Sequence, residues 1–266
     1  MDFGQMPSLR VENGRRSLAS LYQRWAAIEH LRADFLGPFD VNAQSYTLPR
    51  FTFGDERADD AIRLGIFAGI HGDEPAGALA AGQFLSHLSA SPELAAGFLV
   101  HVYPICNPTG FEDNTRHSRR GRDLNREFWR GSTEPEVRLL EQELRARHFH
   151  GLIQLHTDDT SEGVYGYVRG HTLTENLLRP ALREAEKILP RNSNATIDGF
   201  AARDSIIYKH YEGILAAPSE IEPAPFEIIF ETPQLAPIDL QVQALLLALQ
   251  TIMTEYRLLM SFAQNI

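Results

Sequence analysis

The stretch "LGIFAGIHGDEPAGALA", residues 64–80, begins with a short apolar run that ends at His71. A run that is apolar on both faces and bounded by glycine is typical of a strand buried in a parallel sheet. Glu74 follows three residues later, and Pro75 suits the first turn of a helix. The stretch therefore predicts a strand, a tight loop and a helix. The loop is either an ordinary polar turn or half of a metal site.

Strand and helix signals alternate along the rest of the chain in the same way. Such alternation implies an α/β fold in which a mostly parallel or mixed central sheet carries helices on both faces, an α/β/α sandwich. The predicted strands span 63–70, 98–105, 151–156 and 226–231, and the predicted helices span about 16–34, 75–89, 134–148, 172–189 and 237–262.

The composition of the 266 residues excludes several classes of protein. The formal net charge of −10 argues against nucleic acid or an anionic membrane as the main partner. Cys106 is the single cysteine, so neither a disulfide framework nor a cysteine-rich zinc site can form within one chain. No apolar run is long enough to span a bilayer, and the first 16 residues have no signal-peptide core. We therefore expect a cytoplasmic protein, of undetermined oligomeric state.

Three predicted strands end at residues that can bind a metal or transfer a proton, namely His71, His156 and Glu231. The carboxyl ends of parallel strands meet at one edge of a sheet, where ligand sites of α/β folds lie. Together with Glu74, the two histidines would complete a His₂Glu set, which is a ligand set of catalytic zinc sites with an open fourth position.

Glu231 ends the segment "FEIIFE" and is a candidate general base, because an acid at the end of a buried strand would lie beside the metal. A helix N-terminal cap or a surface acid is the alternative interpretation. Glu227 is the second candidate, but it lies inside the predicted strand.

The segment "NPTGFEDNTRHSRRGRDLNREFW", residues 107–129, is unusually rich in arginine for a protein of negative net charge. The planar guanidinium group suits bidentate binding of a carboxylate. A solvated basic loop would explain Arg119 and Arg120, but it explains less well the "DLNR" of residues 123–126.

Five segments between residues 64 and 233 carry a family resemblance: "GIHGDEPAG", "NPTGFEDNTR", "GRDLNREF", "LIQLHT" and "FEIIFETP". In this order they resemble the zinc carboxypeptidase A-type metallopeptidase family, including its related succinylglutamate desuccinylase and aspartoacylase branch. The resemblance implies a zinc carboxypeptidase-like fold and a single catalytic domain over residues 1–266. It also implies that a zinc ion is held by His71, Glu74 and His156.

The same resemblance implies roles for residues around the metal. It places Arg116 beside the scissile carbonyl, Asn125 and Arg126 on the free carboxylate of the substrate, and Glu231 at the position of the general acid and base. The segment "SIIYKHYEG", residues 205–213, resembles the mobile tyrosine segment of the family. Within it, Tyr208 matches best as a substrate-binding residue, and Tyr211 is the alternative.

The implied activity is a zinc-dependent carboxypeptidase that removes the C-terminal residue of a small peptide or a peptide-like amide. The alternative is an N-acyl amino acid deacylase, and a non-catalytic metal-binding protein is the third hypothesis. The 81 residues between Glu74 and His156 are closer to the deacylase branch. The 35 residues after Glu231 leave no room for the β domain that typically caps that branch, which favours an open, peptidase-like cleft. Ile214 or Leu215 could line the pocket for the leaving residue.

Overall fold

The structure, a computed structural model, describes residues 9–12, 14–58, 60–169 and 172–263. The strands are β1 (Val11–Glu12), β2 (Arg15–Arg16), β3 (Arg32–Val41), β4 (Gln44–Phe53), β5 (Ile62–Ala68), β6 (Phe98–Tyr103), β7 (Gly151–Asp158), β8 (Tyr165–Arg169), β9 (Thr196–Ile197), β10 (Phe200–Arg203), β11 (Ile206–Ile207) and β12 (Phe226–Pro233). The helices are α1 (Leu18–Ala26), α2 (Pro75–Ala90), α3 (Pro108–Asp113), α4 (Pro135–Ala146), α5 (Thr172–Ala185) and α6 (Ile238–Ala263).

A mixed sheet runs through the centre of the molecule. Its strand order is β3-β4-β6-β5-β7-β12-β8-β11-β10-β9. The four central strands β6, β5, β7 and β12 are parallel, and β4 and β8 pair antiparallel with the two sides of this group. Because the predicted strands at 63–70, 98–105, 151–156 and 226–231 form this parallel centre, the predicted mixed α/β fold is confirmed.

Helices cover both faces of the sheet, as predicted. One large apolar core lies between the sheet and helices α1, α2, α5 and α6. A second core lies on the opposite face, where Val137, Leu140 and Leu144 of α4 pack against the sheet. The side chains of β5 alternate between these cores, since Ile66 belongs to the first and Phe67 to the second. A strand buried on both faces reads as a continuous apolar run, which explains the pattern at 64–70.

The predicted helix at about 16–34 is wrong in its second half. Helix α1 ends at Ala26, His30 has a left-handed backbone conformation (φ 63°), and β3 begins at Arg32. Ile28 and Leu31 still pack against the core after the helix has ended. These two residues are apolar because they pack against the core, and their helical spacing does not indicate a helix here.

In the described part of the chain no helix is long and apolar enough to cross a membrane. The cytoplasmic location and the single domain over residues 1–266 stay predictions.

Gly72 lets the loop after β5 pack directly against α3. A Cβ atom at this position would lie 1.9 Å from the carbonyl carbon of Gly110. Arg16 fastens the same loop, because its Nη1 donates a hydrogen bond to the carbonyl oxygen of Gly72 at 2.7 Å. The close approach of two backbones therefore holds the loop that carries His71 and Glu74.

Gly72→Ala is expected to lower the free energy of unfolding by about 2 kcal/mol or more, because the added methyl group has no space between the two backbones. Denaturant unfolding followed by circular dichroism measures this change. An unchanged midpoint would contradict the tight contact between the loop and α3.

Candidate active site

Three neighbouring strands place a row of functional side chains at one edge of the sheet. In the register of the sheet, Glu231 of β12 lies opposite His156 of β7 on one side and Tyr165 of β8 on the other. Residues that are paired across adjacent strands project from the same face of a sheet. This row is on the face that α4 covers, near the carboxyl ends of β7 and β12.

His71 and Glu74 approach this row from the loop between β5 and α2. The Nδ1 atom of His71 lies 2.5 Å from Oε1 of Glu74, and the Nδ1 atom of His156 lies 3.0 Å from Oε2. The backbone N–H of Thr157 also donates to Oε2 at 3.0 Å. One ligand atom from each of His71, Glu74 and His156 lies within 4.8 Å of the others, and all three residues are buried.

The charges of this cluster suit a cation. Burial alone raises the pKa of Glu74, but the two imidazoles beside it outweigh burial and hold the pKa well below its usual value. Burial lowers the pKa of His156, so its imidazole is neutral. For His71, the attraction of Glu74 and Asp123 overcomes burial and raises the pKa. A metal ion would displace the proton of His71, since imidazole binds metals only in its neutral form.

Asp123 orients both His71 and Arg116. Its Oδ1 lies 3.3 Å from Nε2 of His71, and its Oδ2 accepts hydrogen bonds from Nε and Nη2 of Arg116 at 3.2 and 3.1 Å. A carboxylate on the outer nitrogen of a ligating histidine fixes its tautomer and orientation. The sequence indicates the arginine-rich segment that contains Asp123, but it predicts no role for this residue. Its position beside two candidate residues, Asn125 and Arg126, in "GRDLNR" was the available signal.

Asn125 and Arg126 lie on a short 3₁₀ helix, Leu124–Arg126, at the side of the site. The Oδ1 atom of Asn125 accepts a hydrogen bond from the N–H of Leu215 at 2.8 Å, which leaves the amide NH₂ as the donating end of this side chain. Arg126 donates to the carbonyl oxygen of Asn125 at 2.8 Å, and its Cζ lies 4.1 Å from the centre of the Tyr211 ring. Both side chains are thus oriented by the protein itself.

A pocket of about 340 Å³ connects these groups. This is within the range of small-molecule sites. Seven of the eight residues that the sequence predicted line it, namely His71, Glu74, Arg116, Asn125, Arg126, His156 and Glu231.

Tyr208 is the predicted residue that does not line the pocket. Its side chain is 45% exposed and lies against Arg203 instead. Tyr211, the alternative, lines the pocket, and its hydroxyl donates to Oδ1 of Asp198 at 3.1 Å. Both tyrosines lie in one short segment, so the pattern of the sequence could not separate them.

Glu231 and Glu227 lie in different surroundings. Burial raises the pKa of Glu231 well above its usual value, and the nearby carboxylates of Glu74 and Asp158 act in the same direction. Glu227 is farther down the same face of β12, where it accepts a hydrogen bond from Ala217 and pairs with Arg169. Glu231 is therefore the acid beside the cluster of His71, Glu74 and His156.

The two arginines that a solvated loop would explain also differ from each other. Arg119 is largely buried and pairs with Glu112 and Asp113, so it holds the loop together. Arg120 is exposed and donates to the carbonyl oxygen of Asp40. The solvated-loop interpretation is therefore wrong for Arg119.

The fold is that of metallopeptidases of known structure. A candidate metallopeptidase from Shewanella amazonensis has 24% identity, a TM-score of 0.73, and coverage of 88% of this chain and 90% of its own. A second, from Shewanella denitrificans, has 25% identity, a TM-score of 0.72 and coverage of 88% and 87%. A metallo-carboxypeptidase from Pseudomonas aeruginosa, solved with (2-guanidinoethylmercapto)succinic acid, has 18% identity, a TM-score of 0.64 and coverage of 89% and 67%.

The chain thus has the fold of metallo-carboxypeptidases, and a family of hydrolases matches its sequence. The family model of the succinylglutamate desuccinylase/aspartoacylase catalytic domain matches residues 60–195, slightly more than half of the chain. The chain belongs to this family. The matched range includes the His71, Glu74 and His156 cluster but ends before Glu231. No curated protein matches the chain significantly.

Asp123→Asn is expected to weaken metal binding by about 10- to 100-fold, because His71 loses the carboxylate that orients it. Competition with a chromogenic chelator measures this affinity. The control is Asp60→Asn, at an exposed aspartate. Equal affinities of the two variants would remove Asp123 from the positioning role.

Proposed function

We propose that this chain is a zinc-dependent carboxypeptidase-type hydrolase, which cleaves an amide bond next to a free carboxylate at the C-terminus of a small peptide. The observation that carries the proposal is the convergence of His71, Glu74 and His156 beside an arginine-lined pocket. Glu231 faces the same pocket. Zinc, a proton-transfer group and a carboxylate clamp are the parts that this reaction needs.

The donor set fits zinc. Two imidazole nitrogens and one carboxylate oxygen are the ligands of open catalytic zinc sites, and the cluster contains no sulfur. The three side chains are 3–4% exposed, so a cation there would offset the cost of burying the carboxylate of Glu74. When bound, zinc lowers the pKa of a coordinated water and polarises the scissile carbonyl.

Glu231 is the group that we assign to proton transfer. A neighbouring cation favours the ionised form of an acid, which counteracts the effect of burial on this side chain. In the ionised form, Glu231 takes a proton from the attacking water and later passes it to the leaving amine. The antiparallel neighbour Tyr165 and the parallel neighbour His156 hold β12 in the register that this role requires.

Arg116 stabilises the negative charge that develops on the carbonyl oxygen. Asp123 holds its guanidinium through two hydrogen bonds, and Nη1 lies 3.7 Å from Oε1 of Glu74. A donor that is already oriented stabilises a developing oxyanion by about 3–4 kcal/mol.

Asn125 and Arg126 bind the free carboxylate of the substrate. Both line the pocket, and a guanidinium beside an amide NH₂ presents several N–H donors to two carboxylate oxygens. This clamp determines which amide bond lies at the metal, because it fixes the end of the substrate. Tyr211 takes the place that Tyr208 was predicted to have, since it stacks on Arg126.

An N-acyl amino acid deacylase is the second candidate function, and one observation favours it. The family that matches the chain is named after two deacylases, succinylglutamate desuccinylase and aspartoacylase. Such an enzyme would use the same metal, base and clamp, with a small acyl group in place of a peptide.

The purified protein is expected to bind about one zinc ion per chain, and His71→Ala is expected to retain little of it. Elemental analysis after dialysis measures the content. His117→Ala, at an exposed histidine of the arginine-rich loop, is the matched control. A His71→Ala variant with full zinc content would refute the assigned ligand set.

Glu231→Gln is expected to bind zinc normally but to lose about 100- to 10,000-fold in kcat, because an amide cannot transfer the proton. Zinc content and steady-state hydrolysis are measured on the same sample. Glu162→Gln, at an exposed glutamate, serves as the control. Undiminished hydrolysis by Glu231→Gln would assign proton transfer to another group.

The two candidate functions are separated by a substrate screen. Short peptides with free or amidated C-termini are compared with N-acetyl and N-succinyl amino acids, each with and without a chelator. A carboxypeptidase hydrolyses the free peptides in preference to their amides and to the N-acyl amino acids. Hydrolysis confined to the N-acyl amino acids would establish the deacylase instead.

A further inference from the structure

A second row of side chains lies directly below the catalytic row. In the register of the sheet, Ile229 of β12 faces Gln154 of β7 on one side and Tyr167 of β8 on the other. A small cavity follows this row, and it shares Tyr167, His210, Ile214 and Ile229 with the main pocket. The sheet face therefore continues from the catalytic groups into a narrow, buried end.

Gln154 presents a hydrogen-bond acceptor to this cavity. The side chain is 2% exposed and lines the small cavity, and its Oε1 has no hydrogen-bond partner in the described part of the chain. Its Nε2 donates to the carbonyl oxygen of Leu215 at 2.8 Å. If the oxygen and nitrogen of the Gln154 amide were exchanged, the amide oxygen would face the carbonyl oxygen of Leu215. The bond to Leu215 therefore determines that Oε1 is the atom left as the acceptor. A buried acceptor without a donor is costly, and it indicates a missing partner.

Glu227 lines the same cavity one row farther down. Its carboxylate is buried, and one oxygen accepts from the N–H of Ala217 at 2.9 Å. Arg169 contacts it at 3.2 Å but is itself 39% exposed, and this screens the pair. The narrow end thus offers acceptors to an incoming donor.

The main pocket also has an excess of negative charge. Six carboxylates line it, and two guanidinium groups oppose them, those of Arg116 and Arg126. A divalent metal ion would balance two more of these negative charges, and the carboxylate of a substrate would add one negative charge. A substrate that also carries a positive charge therefore fits this pocket best.

We propose that the leaving residue carries a primary ammonium group, as lysine does, and that Gln154 is the specificity-determining residue that accepts a hydrogen bond from it. This proposal rests on the proposed function, because it takes the carboxylate of the same residue to be bound by Asn125 and Arg126. The side chain passes between Ile214 and Ile229, and its ammonium group enters the small cavity near Glu227.

The dimensions favour lysine among the cationic side chains. Successive residues on one face of a strand are about 6.6 Å apart, so the second row lies one such step below the catalytic row. The four-carbon stem of lysine covers this step with apolar atoms against the two isoleucines. The cavity has about 10 Å³ of space, roughly one water-sized group, which accommodates an ammonium group better than the larger guanidinium.

An acidic leaving residue is the opposite hypothesis, because Arg169 also lines the cavity. Its guanidinium is already paired with Glu227, however, and a carboxylate would meet the oxygens of Gln154 and Glu227. The repulsion between an acidic side chain and these oxygens therefore disfavours an acidic leaving residue.

The test compares N-acylated dipeptides that differ only in their last residue: lysine, norleucine, arginine or glutamate. Norleucine has the stem of lysine without the ammonium group. The expected kcat/KM is at least about tenfold higher for lysine than for norleucine, the gain of one hydrogen bond to a charged group. Equal values for the two, or a preference for glutamate, would overturn the proposal.

Gln154→Met is expected to reduce the ratio of lysine to norleucine kcat/KM at least about fivefold, since the apolar side chain removes the acceptor while retaining the volume. Gln83→Met is the matched control, because Gln83 is also buried, and its Oε1 is also unpartnered among the described residues, but it lies on α2. Circular dichroism confirms that both variants fold. An unchanged ratio in Gln154→Met would remove Gln154 from substrate recognition.

A binding measurement separates this proposal from the proposed function. Titration calorimetry compares L-lysine with L-norleucine on the purified, zinc-loaded protein, without any hydrolysis. If no peptide is cleaved but lysine binds at least about tenfold more tightly, the carboxypeptidase proposal fails while lysine recognition stands. If peptides are cleaved but norleucine binds as tightly as lysine, only the lysine proposal fails.

Discussion

The parallel pairing of β7 with β12 is the constraint on which the site depends. It sets His156 directly opposite Glu231, and the pairing of β7 with β5 brings the loop that carries His71 and Glu74 to the same edge. A shift of one residue in either register would turn these side chains to the other face of the sheet. The large apolar cores on both faces hold this register, so the chemistry of the edge depends on burial far from it.

The carboxylate of Glu74 is the electrostatic centre of the cluster. It contacts both imidazoles and a backbone N–H, and its ionised form is maintained although the residue is 3% exposed. Asp123 extends the same network outward to Arg116. In the proposed function, metal binding, oxyanion stabilisation and carboxylate binding therefore share one set of fixed charges. The Oε1 atom of Gln154, unpartnered among the described residues, continues the sequence of polar groups into the sheet.

Much of the fold and the site could be predicted from the sequence, for identifiable reasons. The central strands are apolar on both faces, and Pro75 marks the start of α2, so these elements could be predicted locally. Strands at the margins of the sheet were missed: β3 and β4 carry mixed patterns, and β9 and β11 have two residues each. The predicted helix at 16–34 was too long because Ile28 and Leu31, which lie after the end of α1, are apolar for tertiary packing against the core.

The sequence by itself determined the residue types of the candidate metal site, the strand that precedes each of them, and the arginine-rich segment. These follow from residue chemistry and local hydrophobic patterns. Only the tertiary structure decided that Tyr211 rather than Tyr208 faces the pocket and that Asp123 orients His71. It also decided that Oε1 of Gln154, one row below His156 and Glu231, has no partner among the described residues. Each of these depends on contacts between residues far apart in the chain, and no local pattern encodes such distances.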